Sequence, residues 1–198
     1  MTTTKTISRL IAWSPLVFDR LLLSRQRCIF TTRVGLDVLD EFGIDAVPRP
    51  VVTCVANEPY VLWKDGDQDG PAPSKAWAVW AGLPPSPDDP IQNGKGWNGH
   101  LVVYVPTLSS FLDLDFQQFR RPLKLLDTPP AVLGSWPSSD RVAHFVGRDR
   151  SRRLFVARYE HSPDNLGYTV ANDWRRERPV IRETVSTLVR MIRKGSPS

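Results

Sequence analysis

Residues 99 to 119 constrain the fold of this chain more than any other segment, because they contain two apolar runs separated by a short turn. The first run opens at His100 and reads His-Leu-Val-Val-Tyr-Val, and the second contains Asp113 within Phe-Leu-Asp-Leu-Asp-Phe. Runs of this composition predict strands, and two strands joined by so short a turn pair as an antiparallel hairpin. The start of one strand then lies near the end of the other. The segment therefore predicts an antiparallel sheet in which Asp113 lies close to His100.

A predicted helix over residues 24 to 43 carries one of the two cysteines in or near its first turn. Ser24 is a plausible N-cap, and Gly43 followed by Ile44 is a good stop signal. Apolar residues recur at roughly helical spacing at Ile29, Leu36, Val38, Leu39 and Phe42. Unpaired amides and the positive end of the helix dipole favour a thiolate at Cys28, and Arg25 and Arg27 add positive charge. The alternative is that Cys28 is a small buried apolar residue, as free cysteines commonly are.

The remaining sequence predicts helices before and after the strands in the chain. Residues 7 to 23 form a predicted helix in which Pro15 marks a boundary or a kink. A strand is predicted over residues 44 to 57, with Pro48 and Pro50 making its first half irregular or an edge. Further strands are expected at 75–83, 131–136, 141–146 and 153–159, with loops at 64–73 and 84–98. The last helix starts around Asp173 or just before Pro179. The expected class is α+β, with N-terminal helices, including the cysteine-headed one, packed on a mostly antiparallel sheet and closed by a C-terminal helix.

Composition narrows the classes of protein to consider. The chain has 198 residues, of which 41% are hydrophobic and 24% charged, as is ordinary for a globular domain. It has no run of 18 apolar residues, so we expect no transmembrane helix, and its N-terminus lacks the apolar region of a signal peptide. These features predict a cytoplasmic protein. Cys54 lies in an apolar run and is predicted to be a core strand residue, and the three histidines show no metal-ligand spacing. We therefore predict neither a metal nor a cofactor.

The chain is moderately basic, with a net charge of +5. Arginines cluster at residues 120–121, 148–153 and 175–178, and such clusters can hold phosphates. An arginine-rich binder of nucleic acid or phosphate is therefore one alternative function. The clusters lack interleaved aromatic residues and any known nucleic-acid motif, so nucleic acid is not the favoured partner.

Two pieces of the sequence carry a resemblance to a known family. The first is Cys28 with its helix, followed by Phe-Gly-Ile-Asp-Ala at residues 42 to 46 and a strand. The second is Gly-His-Leu-Val-Val-Tyr-Val from residue 99, followed by Phe-Leu-Asp-Leu-Asp-Phe-Gln-Gln-Phe from residue 111. In order and context these pieces resemble the cysteine enzymes of the papain-like fold, in the transglutaminase-like branch. The resemblance covers about residues 24 to 120 and implies that residues 1–198 form a single domain of this kind.

The resemblance implies a catalytic triad. Cys28 would be the nucleophile, His100 the base and acid, and Asp113 the residue that orients His100. The chain departs from the family at Asp115, where threonine is usual, so two carboxylates can compete for the histidine. It also lacks a papain-type glutamine several residues before the cysteine, since Gln26 is only two residues upstream. Gln26 and Trp97 are the candidate substrate-binding residues.

The expected function is thiol-dependent acyl transfer from an amide through a thioester, as in a peptidase, amidase, deamidase or transglutaminase. The expected partner is a peptide, a protein or a small amide, and the basic surface favours an acidic one. A membrane is not an expected partner. A protein of another class remains an alternative, namely a binding or regulatory protein on the same fold whose triad residues are idle.

Overall fold

The computed structural model describes residues 1–21, 27–66, 71–82, 97, 99–175 and 177–195. Within these ranges the chain folds into four α-helices and seven β-strands of the α+β class, joined by loops and short 3-10 turns. In chain order they are α1 (Thr3–Phe18), α2 (Arg27–Asp40), β1 (Val47–Asn57), α3 (Glu58–Asp65), β2 (Ala78–Ala81), β3 (His100–Val105), β4 (Ser110–Asp113), β5 (Val132–Ser135), β6 (Val142–Arg148), β7 (Leu154–His161) and α4 (Pro179–Lys194). None of the helices in these ranges is both long enough and apolar enough to cross a bilayer.

The seven strands form one sheet in which every pairing is antiparallel. Six of them follow the order β5-β4-β3-β1-β7-β6, and β2 pairs with β1 outside this order. The long strand β1 is central: its first half pairs with β3, and its second half pairs with both β7 and β2. The end strands β5 and β6 also approach each other, so the sheet is nearly closed into a barrel. The predicted antiparallel sheet, preceded in the chain by N-terminal helices and followed by a closing helix, is confirmed.

Successive side chains of β3 alternate between the barrel interior and the helical layer, as strand geometry requires. Val102 and Tyr104 belong to an interior cluster rich in aromatic side chains, including Phe111, Phe116, Trp136, Phe155 and Tyr159. Val103 and Val105 face the other way, into the cluster formed with α1, α2 and α4. His100 has the parity of Val102, and its ring lies against the interior rings of Phe119 and Tyr159. The alternation thus places His100 inside the barrel.

Helix α2 lies close against β3 because of two small features. A Cβ atom on Gly35 would be 2.6 Å from Leu114 Cδ1 and 3.0 Å from Val103 Cγ2, so only a glycine allows this approach without movement. The hydroxyl of Thr32 donates to the carbonyl oxygen of Leu101 at 2.9 Å, and both residues are buried. These contacts fix the cysteine helix in position along the strand that begins with His100.

The stop signal predicted at Gly43 is confirmed. Gly43 has a φ of +66°, the left-handed conformation that glycine adopts without a Cβ penalty. Its amide donates to the carbonyl of Asp40 at 2.9 Å, and the amide of Ile44 donates to that of Leu39 at 3.0 Å. These two hydrogen bonds satisfy carbonyl groups that the helix end would otherwise leave unpaired.

Several predicted boundaries need correction. Helix α1 begins at Thr3 rather than residue 7, and Pro15 lies inside it, three residues before its end. Helix α4 begins at Pro179, the second of the two predicted starts, whereas Asp173 lies in a 3-10 turn. Helix α3 was not predicted. Its N-cap is Asn57, whose side-chain oxygen accepts from the amide of Tyr60 at 3.1 Å.

The two prolines of β1 lie in a regular strand, so the predicted alternative of an irregular segment is wrong. The other alternative, an edge, is right, because the first half of β1 pairs with β3 alone. The carbonyl of Pro50 accepts from the amide of Ser162 at 2.9 Å, so the backbone nitrogen and carbonyl of Pro50 face the side of β7 and not β3. Pairing with β7 begins only at Val51. Pro48 has the parity of Pro50, so neither proline removes a ladder bond from the sheet.

Candidate active site

The structure brings His100 and Asp113 together inside the barrel. His100 is the first residue of β3 and Asp113 is the last residue of β4. Because Val103 pairs with Leu112, Asp113 comes opposite Val102, on the same face of the sheet as His100 and two residues from it. Nε2 of His100 lies 2.6 Å from Oδ2 of Asp113, and both side chains have zero exposure. The short turn between the strands is the local cause of this contact, as the sequence predicted.

Cys28 approaches the same imidazole from the helical layer. It is the second residue of α2, is 5% exposed, and packs with Ile29, Leu101 and Tyr168. Its thiol is close enough to His100 to interact electrostatically with the imidazole. Because Nε2 is bonded to Asp113, the thiol would interact with Nδ1, which it shares with the side chain of Gln118. The predicted N-cap Ser24 and the candidate Gln26 lie outside the described residues.

The surroundings of His100 favour its charged form. Burial by itself lowers the pKa of His100, but the charge and hydrogen bond of Asp113, joined by those of Cys28, outweigh burial and raise this pKa to about 10. The ring is therefore an imidazolium at neutral pH, with a hydrogen on each nitrogen. An imidazolium between a thiol and a carboxylate can stabilise the thiolate of Cys28.

Gln118 also contacts Nδ1 of His100, with the amide group of Gln118 at 2.8 Å from that nitrogen. The nearer amide atom is placed as Nε2, which would suit a neutral ring nitrogen that accepts. A charged ring donates from Nδ1 instead, so the amide must present its oxygen, which a 180° rotation about the last side-chain bond achieves. We favour the second arrangement because Asp113 holds the ring charged. Gln118 had no predicted role, although it follows Asp113 by only five residues.

Tyr159 is a second residue that sequence reasoning missed. Its hydroxyl donates to Oδ2 of Asp113 at 3.1 Å, and the amide of Asp115 donates to Oδ1 at 3.1 Å, so both oxygens of Asp113 are bonded. Burial, followed by the charge and hydrogen bond of Asp113, raises the pKa of Tyr159 well above its usual value. The phenol therefore stays a neutral donor. No local signal points to this contact, because 46 residues separate the partners.

Asp115 does not compete with Asp113 for the histidine. Its Oδ1 lies 3.7 Å from Nε of Arg27, the residue before the cysteine, and neither group has a hydrogen-bond partner at these buried atoms among the described residues. Asp115 is 1% exposed. Burial and the nearby charge of Asp113 raise the pKa of Asp115 to about 7, against the opposing charges of Arg27 and His100. The competition expected from sequence is thus resolved by Arg27.

Trp97 lies in the same side-chain cluster as Cys28. It is half-buried, its ring is 5.6 Å from that of Tyr168, and its indole nitrogen donates to Asn165. This position beside the cysteine is compatible with the predicted substrate-binding role, which stays a prediction. Cys54 is buried in β1, as predicted, and burial raises the pKa of its thiol to about 11.

Part of the charge of the arginine clusters is compensated locally. Arg120 pairs with Asp127, and Arg153 pairs with Asp149 at 2.8 Å. Such pairs reduce the positive potential that these clusters can offer to a phosphate backbone.

Comparison with known proteins gives no further guidance: no family model, no curated protein and no solved structure matches this chain.

Proposed function

We propose that this protein is a thiol-dependent acyl-transfer enzyme acting on an amide, with the papain-like fold of the transglutaminase-like branch. Cys28 is the nucleophile, His100 the acid and base, and Asp113 the residue that orients His100. The observation that carries the proposal is a single buried imidazole that is hydrogen-bonded to a carboxylate and lies within reach of a thiol. The substrate class is a peptide, a protein side chain or a small amide.

In the proposed reaction, the thiolate of Cys28 attacks the carbonyl carbon of the amide. The developing oxyanion faces the start of α2, where amide groups, including that of Cys28, have no partner within the helix. His100 then donates its Nδ1 proton to the leaving amine, and a thioester forms. Water or a second amine attacks the thioester, His100 takes the proton of that nucleophile, and the thiolate is released.

The arrangement also explains how a strongly basic imidazole can act as an acid. The negative charge of Cys28 is one of the causes of the raised pKa of His100. When the thiolate becomes a neutral thioester, that contribution disappears and His100 becomes a stronger acid. His100 therefore becomes more acidic at the step in which the leaving amine needs a proton.

Asp113, Tyr159 and Gln118 hold the ring of His100 in position. Asp113 and Gln118 contact opposite nitrogens, and Tyr159 fixes the oxygen of Asp113 that accepts from the ring. Cys28 approaches the ring from the helical layer, where it packs with Ile29 and Leu101.

The proposal is tested by the rate of alkylation of each cysteine with iodoacetamide between pH 5 and 9, followed by mass spectrometry of the two peptides. We expect Cys28 to react near pH 6 and to lose this reactivity in His100→Ala. Cys54 is an internal control, because its raised pKa of about 11 keeps it protonated. Equal, slow reaction of both thiols would overturn the proposal.

Turnover is tested separately with a panel of peptide, glutamine and small amide substrates, with Cys28→Ala as the inactive control. The wild type is expected to form a covalent adduct whose mass equals the acyl group, and Cys28→Ala is expected to form none while keeping the same circular dichroism spectrum. Retained turnover in Cys28→Ala would rule out the assignment of the nucleophile.

A further inference from the structure

A second polar group of side chains lies at the end of the barrel where β1 begins and β7 ends. Arg49 of β1 lies over the ring of Tyr104, with Cζ 3.4 Å from the ring centroid, and 4.7 Å from the ring centroid of Trp136. The ring of His161, the last residue of β7, contacts Trp136 edge-on at 6.4 Å. We call these four residues the barrel mouth. Arg49 and His161 are only partly buried, so the mouth opens to solvent.

Two hydrogen-bond donors in the barrel mouth lack acceptors. Nη1 of Arg49 and the hydroxyl of Tyr104 are buried and have no hydrogen-bond partner among the described residues, and Tyr104 is only 3% exposed. Buried donors are almost always satisfied in folded proteins, so two adjacent exceptions require an explanation such as a bound ion or water. Burial lowers the pKa of Arg49, and its contact with the Tyr104 hydroxyl opposes this effect only in part.

The rim of the mouth also carries more positive than negative charge. Arg141 and Arg158 share the single carboxylate of Glu160, at 3.2 and 2.9 Å. Two guanidinium groups at this rim therefore share one carboxylate.

His161 is sensitive to this excess of charge. Burial, and then the charges of Arg49 and Arg141, lower the pKa of His161. A bound anion would reverse the effect of the two arginines, since an opposite charge nearby favours the imidazolium. The occupancy of the mouth can thus be read from the titration of one histidine.

We propose that the barrel mouth binds a small oxyanion of the phosphate class, either inorganic phosphate or a phosphate monoester. Its lining offers donors, from Arg49, Tyr104 and protonated His161, and a tetrahedral phosphate can accept from several directions at once. Stacking on two aromatic rings holds the guanidinium in place before the ligand arrives. The mouth is distinct from the triad and does not depend on the proposed catalytic function.

The test is a titration of the wild-type protein with inorganic phosphate at constant ionic strength, kept with sodium chloride. We expect a saturable rise in the thermal midpoint and, by nuclear magnetic resonance, a rise in the pKa of His161. Phenyl phosphate, in a parallel arm, shows whether the site accepts a monoester. Acetate, in another, is expected to bind at least tenfold more weakly, and equal binding of acetate would overturn the assignment to the phosphate class.

Variants distinguish a site from a purely structural stack. Arg49→Met keeps an unbranched side chain between the two rings and is expected to lose the response to phosphate, while Arg182→Met, at an exposed position of α4, keeps it. Tyr104→Phe removes only the hydroxyl and is expected to weaken binding at least threefold, which provides a test if Arg49→Met does not fold. An unsaturable response in the wild type, or an unchanged response in Tyr104→Phe and Arg49→Met, would show that Arg49 only supports the barrel.

Discussion

Replacing Asp113 with asparagine isolates the charge that holds His100 protonated. The amide has the shape of the carboxylate and can still accept from Nε2 of the ring, which is 2.6 Å from Oδ2. The negative charge is lost, while the burial of His100 remains. We expect the pKa of His100 to fall from about 10 to below its ordinary value of 6.5. A rise from 6.5 to about 10 corresponds to about 5 kcal/mol in favour of the imidazolium, so the loss is large.

The first consequence is chemical. At pH 7 the variant has a neutral imidazole, so the thiolate loses its cationic partner. Alkylation of Cys28 at pH 6 is therefore expected to slow by roughly tenfold or more. Asp45→Asn, at an exposed position, is the matched control and should alkylate like the wild type.

The second consequence is thermodynamic. Because the folded pKa of His100 lies above its unfolded value, its contribution to stability is complete below pH 6.5 and is lost as the pH rises through about 10. Urea unfolding should therefore show Asp113→Asn to be less stable than the wild type by a few kcal/mol at pH 6, with a smaller difference at pH 10. Cys54 also titrates at high pH, but it is common to both proteins and cancels from the difference.

The prediction for Asp113→Asn fails only if both measurements contradict it. If Asp113→Asn alkylates like the wild type and its stability runs parallel to that of the wild type between pH 6 and 10, then Asp113 does not hold His100 charged. In that case the contact in the barrel is a hydrogen bond without a catalytic consequence.

Three further predictions follow from the same contacts. Tyr159→Phe removes one donor from Asp113 and should destabilise the fold by about 1–2 kcal/mol and shift the pH profile of Cys28 alkylation, whereas an unshifted profile would make the phenol merely structural. Asp115→Asn should flatten the stability curve measured by urea unfolding between pH 4 and 7, because a carboxyl whose pKa is raised to about 7 loses its stabilising contribution as the pH rises through that value; an unchanged slope would contradict this. Gly35→Val should lower the free energy of unfolding by about 2 kcal/mol or more, since even a Cβ would be 2.6 Å from Leu114 Cδ1, and a neutral effect would show that the helix can move away.

Local signals predicted much of the scaffold. The end of α2 followed from one glycine in the left-handed conformation, and the hairpin of β3 and β4 followed from strand composition and a short turn. The start of α4 was one of two possibilities, since Asp173 and Pro179 are both acceptable near a helix N-terminus. Helix α3 was missed because its cap, Asn57, is also the last residue of a strand rich in β-branched residues.

The supporting contacts of the site could not be predicted, because they join distant parts of the chain. Tyr159 reaches Asp113 only because β7 crosses the barrel. Arg49 meets Tyr104 because β1 pairs with β3, and it meets Trp136 because the sheet nearly closes. Neither strand sequence contains a signal of its partner. The close approach of α2 to β3 at Gly35 is of the same kind.

The sequence by itself determined that His100 lies near the segment that contains Asp113 and Asp115, because a short turn and the two-residue period of strands leave little choice of pairing. It could not determine which of two acids the histidine would use, since Asp113 and Asp115 are only two residues apart. Tertiary structure decided this by placing Arg27 beside Asp115 and Tyr159 beside Asp113. The charge on His100 was decided in the same way, because burial and electrostatic attraction depend on every element that surrounds the ring.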